Sequence, residues 1–133
     1  MNIDLICPCG RNNKFNACCG RIHTNISLAI TVEDLMRSRY TAFVLGNVDY
    51  LSISHALKTR KTFNPNKTKI WTKSVLWQNL VVLNTSKGLA SDLDGIVEFK
   101  AFFIENGVLE CIHGNSRFIR DDNNHWMYLD ELN

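Results

Sequence analysis

The stretch GIVEFKAFFIENGVLECIHGNSRFIR, residues 95–120, decides the fold. Gly95 to Ile104 is rich in β-branched and aromatic residues, the composition of a strand. Asn106-Gly107 follows. Both central positions of a two-residue hairpin turn need positive φ, and Asn-Gly tolerates it best. Val108 to Arg120 then returns as the antiparallel partner. Outward from this hairpin, Asp121 to Asn124 reads as a second turn and Trp126 to Leu129 as a closing strand. Leu76 to Asn84 precedes them as another strand, so the C-terminal half is an antiparallel meander. Alternation puts Cys111, His113 and Arg117 on one face of their strand, and leaves open whether that face is the concave one.

Upstream the period changes from two to 3.6. Val32, Leu35, Met36, Tyr40, Phe43 and Val44 recur at helical spacing. Thr31 can cap the N-terminus, with Asp34 as its reciprocal partner, and Gly46 ends the run. Arg39 falls inside the apolar stripe, where a buried guanidinium needs a carboxylate or carbonyl partner. A second helix is expected over Val48 to His55, capped by Asn47. Residues 25–30 read as a linker, and residues 56–70 as an exposed loop broken at Asn64-Pro65. Helices first and a sheet afterwards define an α+β fold.

Apolar residues make up 45% of the 133-residue chain and charged residues 21%, an ordinary globular composition. MNIDLICPCG carries no basic n-region, so it does not read as a secretory signal, and a cytoplasmic location with reduced thiols is expected. The net charge of +2 is uneven: residues 50–91 hold seven Lys/Arg and no acid, whereas residues 92–133 hold three against nine Asp/Glu. Lys58, Arg60, Lys61, Lys67, Lys69, Lys73 and Lys87 make up the basic stretch. It would either track a phosphate backbone or simply balance the acidic meander as a solvated surface.

Four of the five cysteines lie in CPCGRNNKFNACCG, residues 7–20. Two close pairs, Cys7/Cys9 and Cys18/Cys19, joined by a short loop, can surround one tetrahedral Zn²⁺. Gly10 and Gly20 let each pair turn towards the same ion. Neighbouring cysteines are poorly placed for disulfides, and four protein ligands leave no open position, so the expected Zn²⁺ is structural. His23 is an alternative fourth ligand in place of Cys19. The pattern C-x-C-G-x₇-C-C-G resembles the SEC-C motif, a small zinc knuckle that serves mainly as a docking element.

The wider chain resembles the YchJ family of small bacterial proteins, through DLMRSRYTAF (34–43), DYLSISHA (49–56), WQNL (77–80), GIVEFKA (95–101), HGNSRF (113–118) and WMY (126–128). The resemblance implies a zinc knuckle at 1–24 joined to a nuclear-transport-factor-2-like domain at 25–133. That domain is a curved antiparallel sheet packed on helices as a cone, or roll, with a pocket. Two departures stand out: many members carry a second SEC-C knuckle after the sheet, and Gly114 stands where the family usually has Glu.

Candidate pocket residues are Arg39, Glu98, His113 and Arg117, converging in the mouth of the cone as a cationic clamp with a titratable histidine. The plainer reading pairs Arg39 with Glu98 beneath the helix and leaves His113 half-buried. His55 is expected to cap a helix C-terminus, with lining the pocket as the alternative, Cys111 to be a buried inert thiol, and Trp71, Trp77 and Trp126 to be core or rim aromatics. The functional expectation is an interaction module that docks a protein partner through its knuckle. The alternatives are an enzyme using His113 for acid–base chemistry, and a nucleic-acid- or ribosome-associated protein acting through residues 58–73.

Overall fold

A computed structural model describes residues 5–132. Four α-helices precede four strands: α1 (Cys19–Thr24), α2 (Val32–Leu45), α3 (Val48–Ile53), α4 (Pro65–Ser74), β1 (Leu76–Lys87), β2 (Asp94–Glu105), β3 (Val108–Arg120) and β4 (Trp126–Glu131). Short 3-10 turns stand at Phe15–Ala17, Ile26–Leu28 and Arg60–Thr62.

The helix α2 starts as its sequence requires. Thr31 Oγ1 accepts from the Asp34 N–H, and Asp34 Oδ2 accepts from the Thr31 N–H, which closes the capping box. Gly46 ends the helix at φ 69°, in the left-handed region. Asn47 caps α3 through the Tyr50 N–H, and α3 stops at Ile53, short of His55. The segment read as a loop up to residue 70 instead holds most of α4. Asn64-Pro65 is its start and not a break: Asn64 Oδ1 accepts from the Lys67 N–H, and Pro65 occupies the first turn, where its missing N–H costs nothing. The linker read at 25–30 contains a 3-10 turn capped by Asn25.

The strands form one antiparallel sheet in the order β1-β2-β3-β4. It curves around the helices, giving the α+β architecture. Lys100 lies opposite His113, Glu98 opposite Asn115 and Ile96 opposite Arg117, so these residues share one face. On β2 the other face, Gly95, Val97, Phe99, Ala101 and Phe103, is buried against the helices. The strand β1 carries two bulges, between Trp77 and Asn79 and between Val82 and Asn84. The core joins Val32 and Leu35 of α2, Tyr50 and Leu51 of α3, Val97, Phe118 and Trp126, all fully buried. Trp126 Nε1 donates to Ile30 O at 3.0 Å, so the indole both fills the core and closes a backbone acceptor. Gly88 and Gly95 pack against Val32, where a side-chain carbon on either would overlap it, and the Val32 N–H donates to Gly88 O at 2.9 Å.

Among the described residues no helix is long and apolar enough to cross a membrane.

A cysteine cluster and an aromatic cavity

Two features can carry chemistry. The first is the cysteine cluster. The knuckle is shaped by the bridge between Ile6 and Lys14 and by the Cys7 N–H donating to Asn13 O at 2.7 Å. Gly10 turns it at φ 94°. The sulfurs of Cys7, Cys9, Cys18 and Cys19 then lie within 4.8 Å of one another, all four buried and none in a disulfide. A tetrahedral ion with Zn–S bonds of about 2.3 Å needs sulfurs about 3.8 Å apart, and Cys9 and Cys18 stand at 3.6 Å. The donor set therefore fits a divalent metal of the zinc type.

The thiols also act on one another. Hydrogen bonds from Cys19 and Cys9 hold the Cys7 thiol far below its ordinary range, and in turn the Cys19 thiol is driven far above it by its bond to Cys7. The cluster alone thus resists gathering several negative charges, whereas a bound dication lets the thiols deprotonate. His23 stays outside the donor set: its Nε2 pairs with Ser38 O at 2.8 Å, and its ring stacks on Tyr50.

The cluster is fastened to α2. Arg37 Nη1 donates to Cys9 O, Arg11 Nη1 donates to Asp34 Oδ1 at 2.6 Å, and Cys7 Sγ lies 3.6 Å from Thr41 Oγ1. Arg37 and Arg11 also pair with Glu33.

The second feature is a cavity of about 600 Å³ between the concave face of the sheet and the helices. That volume lies within the roughly 300–1,000 Å³ usual for small-molecule sites. Phe43, Phe63, Trp71, Trp77 and Phe99 make most of its wall aromatic, and Trp71 packs edge-on against both Trp77 and Phe103. Its polar groups are few. Arg39 Nη1 donates to Leu51 O at 2.9 Å and to Ser54 Oγ at 2.6 Å, and the guanidinium carbon lies 4.5 Å from the Tyr128 ring centre. Burial lowers the Arg39 pKa to about 10, which leaves it charged at neutral pH. Burial also pulls His55 down to about 4, helped by the charges of Arg39 and Arg60, so its imidazole is neutral at pH 7. Its Nε2 meets Thr59 Oγ1 at 3.1 Å, while Nδ1 has no partner among the described residues. Trp77 Nε1 is likewise buried without a partner among the described residues.

Several expectations are corrected here. Of the four pocket candidates only Arg39 lines the cavity. Glu98, His113 and Arg117 lie on the opposite face of the sheet, because the pleat sends alternate side chains to opposite sides and the even-numbered residues of β2 point away from the helices. Arg39 does not pair with Glu98; carbonyl and hydroxyl partners from α3 and its exit replace the carboxylate. Glu98 Oε2 instead meets His113 Nε2 at 2.7 Å, and Arg117 holds Asp130 through two bonds of 2.6 and 2.7 Å. Acid–base chemistry by His113 inside the cone is thereby removed. Cys111 is exposed, not buried, because nothing covers that face of β3 among the described residues. His55 lines the cavity and does not cap α3. Trp126 is core, and Trp71 and Trp77 are cavity wall.

Phe63, Thr59 and Tyr128 were not singled out by the sequence. Phe63 and Thr59 lie in the segment read as an exposed loop, ahead of α4. Tyr128 had a usable signal, since alternation places it on the face opposite that of Met127 and Leu129.

Comparison with known proteins agrees with this architecture. The family described as "YchJ, middle NTF2-like domain" matches residues 31–131. A UPF0225 protein of Geobacter sulfurreducens is 34% identical over 125 residues, covering 94% of this chain and 77% of that protein. A UPF0225 protein of Streptomyces coelicolor is 40% identical over 124 residues, covering 93% and 92%. The solution structure of a SEC-C motif containing protein from Rhodopseudomonas palustris superposes with a TM-score of 0.85 at 28% identity, covering 96% of this chain and 98% of that one. The crystal structure of a SEC-C motif containing protein from Psychrobacter arcticus gives 0.83 at 27% identity, covering 98% and 84%. With a buried four-cysteine cluster fastened to a curved sheet-and-helix cone, and a family match spanning the whole cone, the chain belongs to the YchJ family, with a SEC-C knuckle ahead of its NTF2-like domain.

Proposed function

We propose that this protein is a cytoplasmic binding module: a zinc-held knuckle braces the helix layer, and the cone beneath it takes a small ligand. One observation carries the reading. A mostly apolar cavity, rich in aromatic side chains, is lined by the buried, charged Arg39, whose Nε and Nη2 have no hydrogen-bond partner among the described residues. Buried polar groups are nearly always paired, and leaving one unpaired costs about 1–3 kcal/mol, so the free donors of Arg39 give an incoming ligand partners to meet. Zinc is the metal that suits four buried thiolates with no open position.

The test is tryptophan emission, because Trp71 and Trp77 form the wall. Titration with a set of aromatic acids, amides and alcohols is expected to shift the emission saturably with at least one of them. A flat response to all of them would overturn the ligand-binding reading.

A second reading keeps the knuckle as a docking element for a protein partner. It is favoured by Leu5 and Ile6, both more than half exposed just ahead of Cys7. The nucleic-acid alternative has weaker support. Lys67, Lys69 and Lys73 are exposed on α4, but Arg60 is turned inward to His55 O at 3.0 Å.

A further inference from the structure

Arg39 has one edge that the protein leaves unmatched. The side chain is 6% exposed, yet it forms no ion pair among the described residues. Nη1 is fully used by Leu51 O and Ser54 Oγ. A guanidinium carries five N–H donors, so three remain, on Nε and Nη2. Those two nitrogens form the side-on fork that meets a carboxylate through two parallel hydrogen bonds. Tyr128 covers one face of the guanidinium, which leaves the edge as the place for a counter-ion.

The carboxylates that border the cavity are engaged elsewhere. Both oxygens of Asp130 are held by Arg117. Glu131 is exposed, and its Oε2 accepts from Ser116 Oγ at 2.6 Å and from the Tyr128 hydroxyl at 2.9 Å. Glu131 still acts on Arg39 through space and partly offsets its charge, but neither carboxylate bonds the Nε/Nη2 edge, which stays open to a counter-ion.

We propose that the cavity receives a small aromatic or aliphatic monocarboxylate, its carboxylate on the Nε/Nη2 edge of Arg39 and its hydrocarbon body among Phe63, Trp71, Trp77 and Phe99. This rests on the reading of the cavity as a ligand site. Glu131 also borders the cavity, and its carboxylate opposes a second negative charge on the ligand once Arg39 has met the first.

The experiment titrates the full chain with 3-phenylpropanoate, its uncharged near-isostere 3-phenylpropanamide, and phenylsuccinate, following tryptophan emission and backbone amide shifts. The carboxylate is expected to bind roughly 10- to 100-fold more tightly than the amide, the scale of a charge-assisted hydrogen-bond pair. Arg39→Gln is expected to abolish that preference while the amide still binds. Phenylsuccinate is expected to bind more weakly than 3-phenylpropanoate. Equal binding of acid and amide would overturn the carboxylate assignment and leave the cavity as a ligand site. Tighter binding of phenylsuccinate would overturn the restriction to one charge. No response to any of the three overturns the assignment and, where the wider set of acids, amides and alcohols is also silent, the ligand-site reading with it. If Arg39→Gln does not fold, the ratio of acid to amide affinity on the unaltered protein still decides.

Discussion

The knuckle and the cone are held together by different physics. In the knuckle the buried apolar cluster is four cysteines with Phe15 packed against them. In the cone a continuous cluster runs from Val32 and Leu35 through Tyr50 and Leu51 to Phe118 and Trp126. Apart from Ile22, which packs into the cone's own cluster, the first has too little hydrocarbon to repay the ordering of its backbone; the second has enough. The difference predicts which part would depend on a metal. The knuckle's order would be lost with its ion, and the cone's order would not.

The sharpest way to break that contrast is Cys9→Ser, or a strong chelator on the unaltered chain. Structural zinc in small domains contributes on the order of 10 kcal/mol of folding free energy. Amide signals of residues 5–24 are expected to collapse, those of β2 and β3 to persist, and native mass spectrometry to lose one metal ion. Persistence of the knuckle's signals would mean that its contacts to α2, through Arg37, Arg11 and His23, suffice without an ion.

Next in size is Phe118→Ala, which removes a fully buried ring at the centre of the cone. Such truncations cost about 3–5 kcal/mol. The loss, read by chemical denaturation, is expected to be the same with and without chelator. A loss that vanishes on metal removal would show that knuckle and cone fold as one unit.

The smallest effect is expected from His113→Gln. Its pair with Glu98 is half exposed on the outer face of the sheet, and exposed pairs contribute about 0–1 kcal/mol. Stability and ligand titrations should both stay near those of the unaltered protein. A marked loss of ligand binding would restore His113 to the site.

Much of this was legible in the sequence. The meander followed from Asn106-Gly107 between two β-rich runs, and the start of α2 from Thr31 and Asp34, because turns and caps are local chemistry. The cysteine spacing was local too, and the four sulfurs do meet. The pocket was less legible for a specific reason. Period-two alternation groups His113 with Arg117 but carries no sign of which face curves inward; that depends on where α2 and α3 land. The sign lay in the neighbours, since Val97, Phe99 and Ala101 make the apolar face and Glu98 and Lys100 the other. Asn64-Pro65 misled because the same dipeptide both breaks helices and begins them; the Lys67 N–H bonded to Asn64 marks the second case. Arg39 was rightly marked as buried, but its partners are a helix-end carbonyl and a hydroxyl brought close only by the α2–α3 turn.

The bulges of β1 have a consequence for how this protein lives among its own copies. In the order β1-β2-β3-β4, β1 is an outer strand, twelve residues long, with Leu76 and Leu83 exposed. A flat strand of that length and composition is a template onto which another chain can add. Gln78 and Leu83, skipped by the pairing with β2, kink it twice and break the even row of donors and acceptors that an added strand would need. The same irregularities that bend the sheet into a cone thereby protect the protein from fibrous self-association.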